Sequence, residues 1–201
     1  MQTDVLVPLK RLDAAKSRLA SALSVAERRR LMAAMVAHVI RTALAADVGR
    51  VALVSSDPAA PELAGRLGIA FVSDAGLPWN PGLEHARMQL PAPAAAVLYL
   101  AGDLPLVEAG DIAALLDAGQ NGTVVVGRAH DGGTNALWVC PAAALEPAFG
   151  TPESAAVHAA HAEECGLEVV VLDRPGIAHD IDTPADLARA RSLAWGPAGV
   201  I

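Results

Sequence analysis

The sequence predicts an α/β fold, a three-layer arrangement with a mostly parallel sheet between two layers of helices. Three observations lead there. Short apolar runs alternate with helix-period segments along nearly the whole chain, the rhythm of parallel strands joined by helical crossovers. Polar clusters at residues 10–18, 55–57 and 102–103 follow directly on such runs, and sheets of this kind bind ligands beyond the carboxyl ends of their strands. Hydrophobic residues make up 53% of the chain but aromatics only 3%, an Ala-, Val- and Leu-rich mixture that suits many helices packed on a sheet.

Taken in order, Asp4–Val7 is the first strand, ended by Pro8. Ser24 caps a helix, with Glu27 at the capping-box spacing ahead of Leu31, Met35, Val36, Val39 and Ile40. Val51–Val54 is the second strand, closed by a Ser-Ser-Asp-Pro turn. Pro61–Leu67 is a short helix stopped at Gly68, and Ile69–Val72 the third strand. Asn80–Leu90 reads as helix, and after a Pro/Ala loop Val97–Leu100 reads as strand. A helix at Asp111–Ala118, strands at Thr123–Val126 and Ala136–Val139, a helix at Ser154–Cys165 and a strand at Glu168–Leu172 complete the alternation. The last helix starts near Pro184, with Thr183 as its N-cap before a proline at the first helical position. With no internal repeat or long linker, residues 1–194 are expected to form one domain, and residues 195–201 a loose tail.

A net charge of −7 argues against a nucleic-acid surface, which needs a basic stripe to displace counterions. No apolar run approaches the roughly 20 residues that cross a bilayer, and no signal peptide opens the chain, so a soluble, cytoplasmic protein with no membrane partner is expected. The two cysteines, Cys140 and Cys165, read as packing residues in a reducing compartment.

Chemistry concentrates at two stretches, AGDLPLV (101–107) and HDIDTPADL (179–187). Asp103 follows Gly102 at a strand end, and Asp180 and Asp182 are two apart, so an extended segment projects both to one face. Carboxylates so placed suit a hard divalent cation that must also reach a phosphate. Each also has a plain structural role open to it: Asp103 as a turn cap, Asp182 and Thr183 as a helix start. Lys10, Arg11, Lys16 and Arg18, with Ser17, form a basic patch in an otherwise acidic chain, apt for polyphosphate or simply a solvated loop. It is neither a Walker A loop nor a G-x-G-x-x-G turn. In GGTNAL (132–137) the glycines permit close backbone approach to an anion, with Thr134 and Asn135 as donors, and Ser154 after Gly150 could add a helix N-terminus. His158 and His161 lie one helical turn apart without an arrangement apt for zinc. Ser-His-Asp catalysis fits poorly, since no G-x-S-x-G elbow appears.

Taken together, VPLKRLDAAKSRL, AGDLPLV, GGTNAL, the FG-x-x-x-S stretch and HDIDTPADL resemble the phospholactate and phosphoenolpyruvate guanylyltransferases of coenzyme F420 biosynthesis, over about residues 4–190. The resemblance implies a nucleotide-diphospho-sugar transferase (GT-A-like) fold. It also implies a reaction in which GTP and a small phosphorylated carboxylic acid give a guanosine diphosphate-linked acid and pyrophosphate. On that likeness Asp103, Asp180 and Asp182 are the metal aspartates, expected to hold Mg²⁺, in all two ions. Lys10, Lys16, Ser17, Arg18 and Asn80 lie toward the nucleotide, while Gly133, Thr134, Gly150 and Ser154 hold the acceptor. Phosphoenolpyruvate, 2-phospho-L-lactate and 3-phospho-D-glycerate all remain open as acceptor. The chain departs from the family pattern in two places, FGTPES, one residue longer through Glu153, and PWNPGLEHA around Asn80; Trp138 and Cys140 are further candidates to shape the acceptor pocket. A homodimer and a transient hand-off of a labile product to a downstream transferase accompany the resemblance. Its rivals are a transferase making a nucleotide-sugar or molybdenum-cofactor dinucleotide, which normally carries a Gly-rich loop after strand one, and a non-catalytic GTP-binding module.

Overall fold

Seven strands form one sheet: β1 (Thr3–Pro8), β2 (Val51–Val54), β3 (Ala70–Val72), β4 (Ala96–Leu100), β5 (Thr123–Arg128), β6 (Thr134–Cys140) and β7 (Glu168–Leu172). Their spatial order is β3-β2-β1-β4-β6-β5-β7. The structure, a computed structural model, describes residues 2–12, 16–92 and 94–193; the expected tail at 195–201 lies outside them. The helices are α1 (Val25–Ala45), α2 (Ala60–Leu67), α3 (Trp79–Gln89), α4 (Ala109–Ala118), α5 (Ser154–Glu164), α6 (Pro175–Ala178) and α7 (Pro184–Ser192).

Alternation along β1 divides the core in two. Val5 and Val7 join the apolar cluster containing Leu31, Met35 and Val36 of α1 and Ile112 and Leu115 of α4. Leu6, between them, faces the other way, into the cluster with Leu83 and Ala86 of α3 and Ala155 and Ala162 of α5. Period-2 side chains on a sheet buried on both faces give this three-layer arrangement directly.

Four of the six strand pairings are parallel, and β6 is antiparallel to both β4 and β5. Residues 129–133 between β5 and β6 are too few for a crossover helix, so the chain must return as a hairpin. That reversal brings the start of β6 to the same rim as the end of β4, with Leu100 opposite Ala136. The capping box expected at Ser24 forms: Ser24 Oγ accepts from Glu27 N at 3.3 Å while Glu27 Oε2 accepts from Ser24 N at 2.7 Å, and Thr183 and Asp186 repeat the pattern at α7. Each such cap contributes about 1 kcal/mol.

Sequence periodicity gave no sign of α6 or of a 3₁₀ turn at Ser17–Leu19, which are too short to show any. Cys140 is buried as expected, but Cys165 is exposed; it ends α5, where Gly166 at φ +73° turns the chain away from the core. Among the described residues no helix is long and apolar enough to cross a membrane.

Candidate active site

After β1 the chain runs outward through β2 to β3, then crosses back to place β4 on the other side of β1. Ligands bind at such a switch point, and a cleft of about 380 Å³ opens there, bordered by Pro8 at the end of β1 and by Leu100–Asp103 after β4. Gly102 lets this turn press inward, because a Cβ on it would stand 2.9 Å from Val36 Cγ2 and 3.0 Å from the Pro8 carbonyl oxygen.

The three aspartates converge. Ile181 N donates to the Asp103 carbonyl at 3.3 Å, tying the segment after α6 to the turn after β4, with Asp180 and Asp182 on either side of that bond. One carboxylate oxygen from each of Asp103, Asp180 and Asp182 lies within 4.8 Å of the other two. Burial, then the nearby Asp103 charge, pushes the Asp180 carboxyl up to about 6.

Lys16 supplies the counter-charge. Its ammonium donates to Asp103 Oδ2 and, at 2.8 Å, to Asp182 Oδ1, and Arg18 Nη1 stands 3.4 Å from Asp182 Oδ2. Burial works to lower the Lys16 pKa, but the two carboxylates outweigh it and hold the ammonium charged. Burial works to raise Asp182, and Lys16 in turn holds it below the ordinary carboxylate range. Lys16 adopts φ +53°, a conformation that costs a non-glycine residue about 1 kcal/mol or more and collects at functional sites. An ammonium held between carboxylates shows that the donor set is arranged around positive charge, and its all-oxygen character fits a hard divalent cation.

The basic loop is fixed at its root from β2. Asp57 Oδ2 accepts from Leu12 N at 2.7 Å, and Ser55 Oγ donates to the Leu9 carbonyl at 2.7 Å; the polar turn at 55–57 anchors the loop and does not line the cleft. Lys10 extends over the Trp79 ring, 4.5 Å from its centroid, and Lys10, Ser17, Arg18 and Trp79 all border the cleft.

Of the residues expected to hold the acceptor, Thr134 and Gly150 line the cleft while Gly133 and Ser154 do not, and neither does Asn80, expected toward the nucleotide. Gly133 N donates to Asp131 Oδ1 at 3.0 Å. Ser154 is buried, and its hydroxyl donates to Thr134 Oγ1 at 3.3 Å. The first amides of α5 are engaged too, Ser154 N with the Thr151 carbonyl and Ala155 N with that of Gly132. Asn80 grips the backbone of Phe149 at both ends of its amide, at 3.1 and 2.9 Å, and so holds the turn that presents Gly150. Gly132 at φ +93° packs that turn against the β5–β6 loop, where a Cβ would meet the Pro152 carbonyl oxygen at 2.6 Å.

Trp138 and Cys140 sit far along β6 from Thr134 and belong to the core. The Trp138 indole donates to Thr3 Oγ1 at 3.2 Å, and neither residue borders the cleft. Trp79, Tyr99 and Phe149 form the aromatic wall instead, and Tyr99 meets Phe149 edge-on with centroids 6.2 Å apart. Tyr99 was hidden within a plain apolar strand and Phe149 within a loop; the lone signal for Trp79 was its place beside Asn80. Among the described residues the aspartate trio is the one group of His, Cys, Asp or Glu arranged to hold a metal.

A doubly wound sheet with carboxylates and a basic loop meeting at its switch point is the architecture of nucleotidyltransferases. The fold matches a nucleotidyl transferase from Methanothermobacter thermautotrophicus (TM-score 0.65, 16% identity, 96% of this chain and 97% of that one). It also matches CMP:2-keto-3-deoxy-manno-octonic acid synthetase complexed with CTP (TM-score 0.63, 13% identity, 96% and 98% of the chains). Residues 3–190 match the family model described as guanylyl transferase, CofC like, and the chain belongs to that family. It is 41% identical to phosphoenolpyruvate guanylyltransferase of Rubrobacter xylanophilus, covering 94% of this chain and 93% of the relative. With the enzyme of the same name from Sphaerobacter thermophilus the identity is 42%, covering 93% and 91%.

Proposed function

We propose that this protein transfers GMP from GTP to a small phosphorylated carboxylic acid, phosphoenolpyruvate being favoured by the names of its relatives, and releases pyrophosphate. The observation that carries the reading is the meeting of Asp103, Asp180 and Asp182 around the Lys16 ammonium at the mouth of the cleft. Asp103, Asp180 and Asp182 would hold Mg²⁺, which supplies neutralisation of the charge developing on the α-phosphate. Lys10, Lys16 and Arg18 receive the triphosphate and screen the departing pyrophosphate. Thr134 and the Gly150 turn hold the acceptor so that a phosphate oxygen attacks the α-phosphorus in line. No side-chain base is needed, because a phosphate dianion is already a nucleophile at neutral pH. Positioning and charge stabilisation carry the acceleration.

The test is pyrophosphate release from GTP with each of phosphoenolpyruvate, 2-phospho-L-lactate and 3-phospho-D-glycerate, coupled to the downstream transferase that consumes the labile product. Turnover with phosphoenolpyruvate is expected. GTP binding without pyrophosphate release for any acid would return the chain to the non-catalytic reading.

A further inference from the structure

His158 on α5 is fully buried and no step above uses it. Its Nε2 accepts from Ala148 N at 2.8 Å, and its Nδ1 lies 3.0 Å from Thr134 Oγ1. An amide N–H can only donate, so Nε2 carries no proton, and a neutral ring then has its proton on Nδ1. The Ser154 carbonyl, one turn back on α5, also favours a proton on the ring, while burial and the neighbouring His161 push the imidazole down to about 4; at neutral pH the ring is uncharged. Thr134 Oγ1 therefore accepts from His158 Nδ1–H, a proton it shares with the Ser154 carbonyl, and from the Ser154 hydroxyl, which is buried and has Thr134 as its acceptor. With its oxygen already accepting from both, the Thr134 hydroxyl hydrogen is left for a further acceptor, and Thr134 borders the cleft.

We propose that His158 is a positioning residue for the acceptor: as the Nδ1–H tautomer it turns the Thr134 hydroxyl into a fixed donor aimed at an acceptor oxyanion. By the same ring it anchors the Ala148–Gly150 turn, whose Phe149 and Gly150 also border the cleft. One imidazole thus sets the spacing between two acceptor contacts 16 residues apart in sequence, Thr134 and Gly150. A donor ordered before binding loses less freedom on binding, and this device needs no charge of its own. The inference rests on the guanylyltransferase reading for the identity of the ligand, but its tautomer is independent of any ligand.

Two substitutions separate the contacts, since Asn places an amide near Nδ1 and Gln near Nε2. His158→Gln keeps an acceptor for Ala148 N and loses the donor to Thr134. It is expected to raise the acceptor KM roughly tenfold while the GTP KM stays within about twofold. His158→Asn restores the donor but leaves Ala148 N without its acceptor, and is expected to give an acceptor KM between those of wild type and His158→Gln. In a Thr134→Val background, His158→Gln should add less than about twofold, the non-additivity of groups acting through one another. Long-range proton–nitrogen spectra of labelled histidine should show Nδ1 protonated and Nε2 bare. A protonated Nε2, or a full additional effect of His158→Gln in Thr134→Val, overturns this inference while leaving the reaction untouched. A wild-type protein that releases no pyrophosphate with any acid overturns the guanylyltransferase reading and the acceptor role of Thr134 with it, whatever the tautomer.

Discussion

Acidification should weaken the fold through His158, by an amount that follows from its burial. Burial and His161 place the folded imidazole at about 4, against 6.5 for an ordinary histidine. Between those values the unfolded chain takes up a proton that the folded chain refuses, so stability falls as pH falls. The contribution is complete above pH 6.5 and is lost on the way down through 4. At about 1.36 kcal/mol for each pH step of one, the loss is about 1.4 kcal/mol by pH 5.5 and about 2.5 kcal/mol by pH 4.5. With a urea m-value of about 2 kcal/mol/M for a chain of this size, the midpoint should move by about 0.7 M between pH 7 and pH 5.5. Other groups titrate over the same range, so the measurement is the difference between wild type and His158→Gln, which carries no titrating group there. Urea curves for both, at half-unit intervals from pH 7 to 4.5, should converge as the pH falls, wild type losing stability faster. Parallel loss in the two proteins would refute the argument, since it would mean that the buried ring takes up its proton at no cost to the fold.

Three further outcomes are expected. Asp103→Ala should reduce pyrophosphate release by about a thousandfold or more with an unchanged far-UV circular dichroism spectrum; near-normal release would remove Asp103 from the cation site. Lys16→Met removes the ammonium that stands between Asp103 and Asp182, so Mn²⁺ should bind the nucleotide-free variant more tightly than wild type in calorimetry, while the GTP KM rises about tenfold or more. Because the Asp180 carboxyl sits at about 6, its protonated form should dominate below that pH; Mn²⁺ affinity of the nucleotide-free protein should hold above pH 6 and fall by up to about tenfold per pH unit below it.

Most of the layering was legible because it is local. The period-3.6 run from Leu31 to Ile40 forms α1, and Ser24 and Thr183 cap helices through bonds to residues three positions on. The aspartates could be picked out because Gly102-Asp103 and Asp180-x-Asp182 occupy strand ends, and the fold brings them within reach of one another. What the sequence hid is what depends on distant partners. Ser154 reads as an N-cap or ligand donor, and nothing local shows that Thr134, twenty residues earlier, would claim its proton. Asn80 reads as the opening of a helix near the nucleoside, whereas its amide closes on the Phe149 backbone behind the cleft wall. Trp138 beside a glycine loop was open to packing or recognition, and it packs, because a strand carries alternate residues to opposite faces and its far end away from the rim. The antiparallel course of β6 was implicit in the few residues before it, a matter of length rather than composition.

Strand β7 occupies one margin of the sheet, bonded only to β5 and partly open to solvent, yet the polypeptide passes through it on the way to Asp180 and Asp182. Two of the three clustered carboxylates thus follow an edge strand along the chain, while the third follows a central one. Peeling of that margin would scatter the acidic trio long before the middle of the sheet lets go. Heat should therefore silence the enzyme at a temperature where its bulk secondary structure still looks intact, and a thermal activity curve overlying the circular dichroism transition would contradict this.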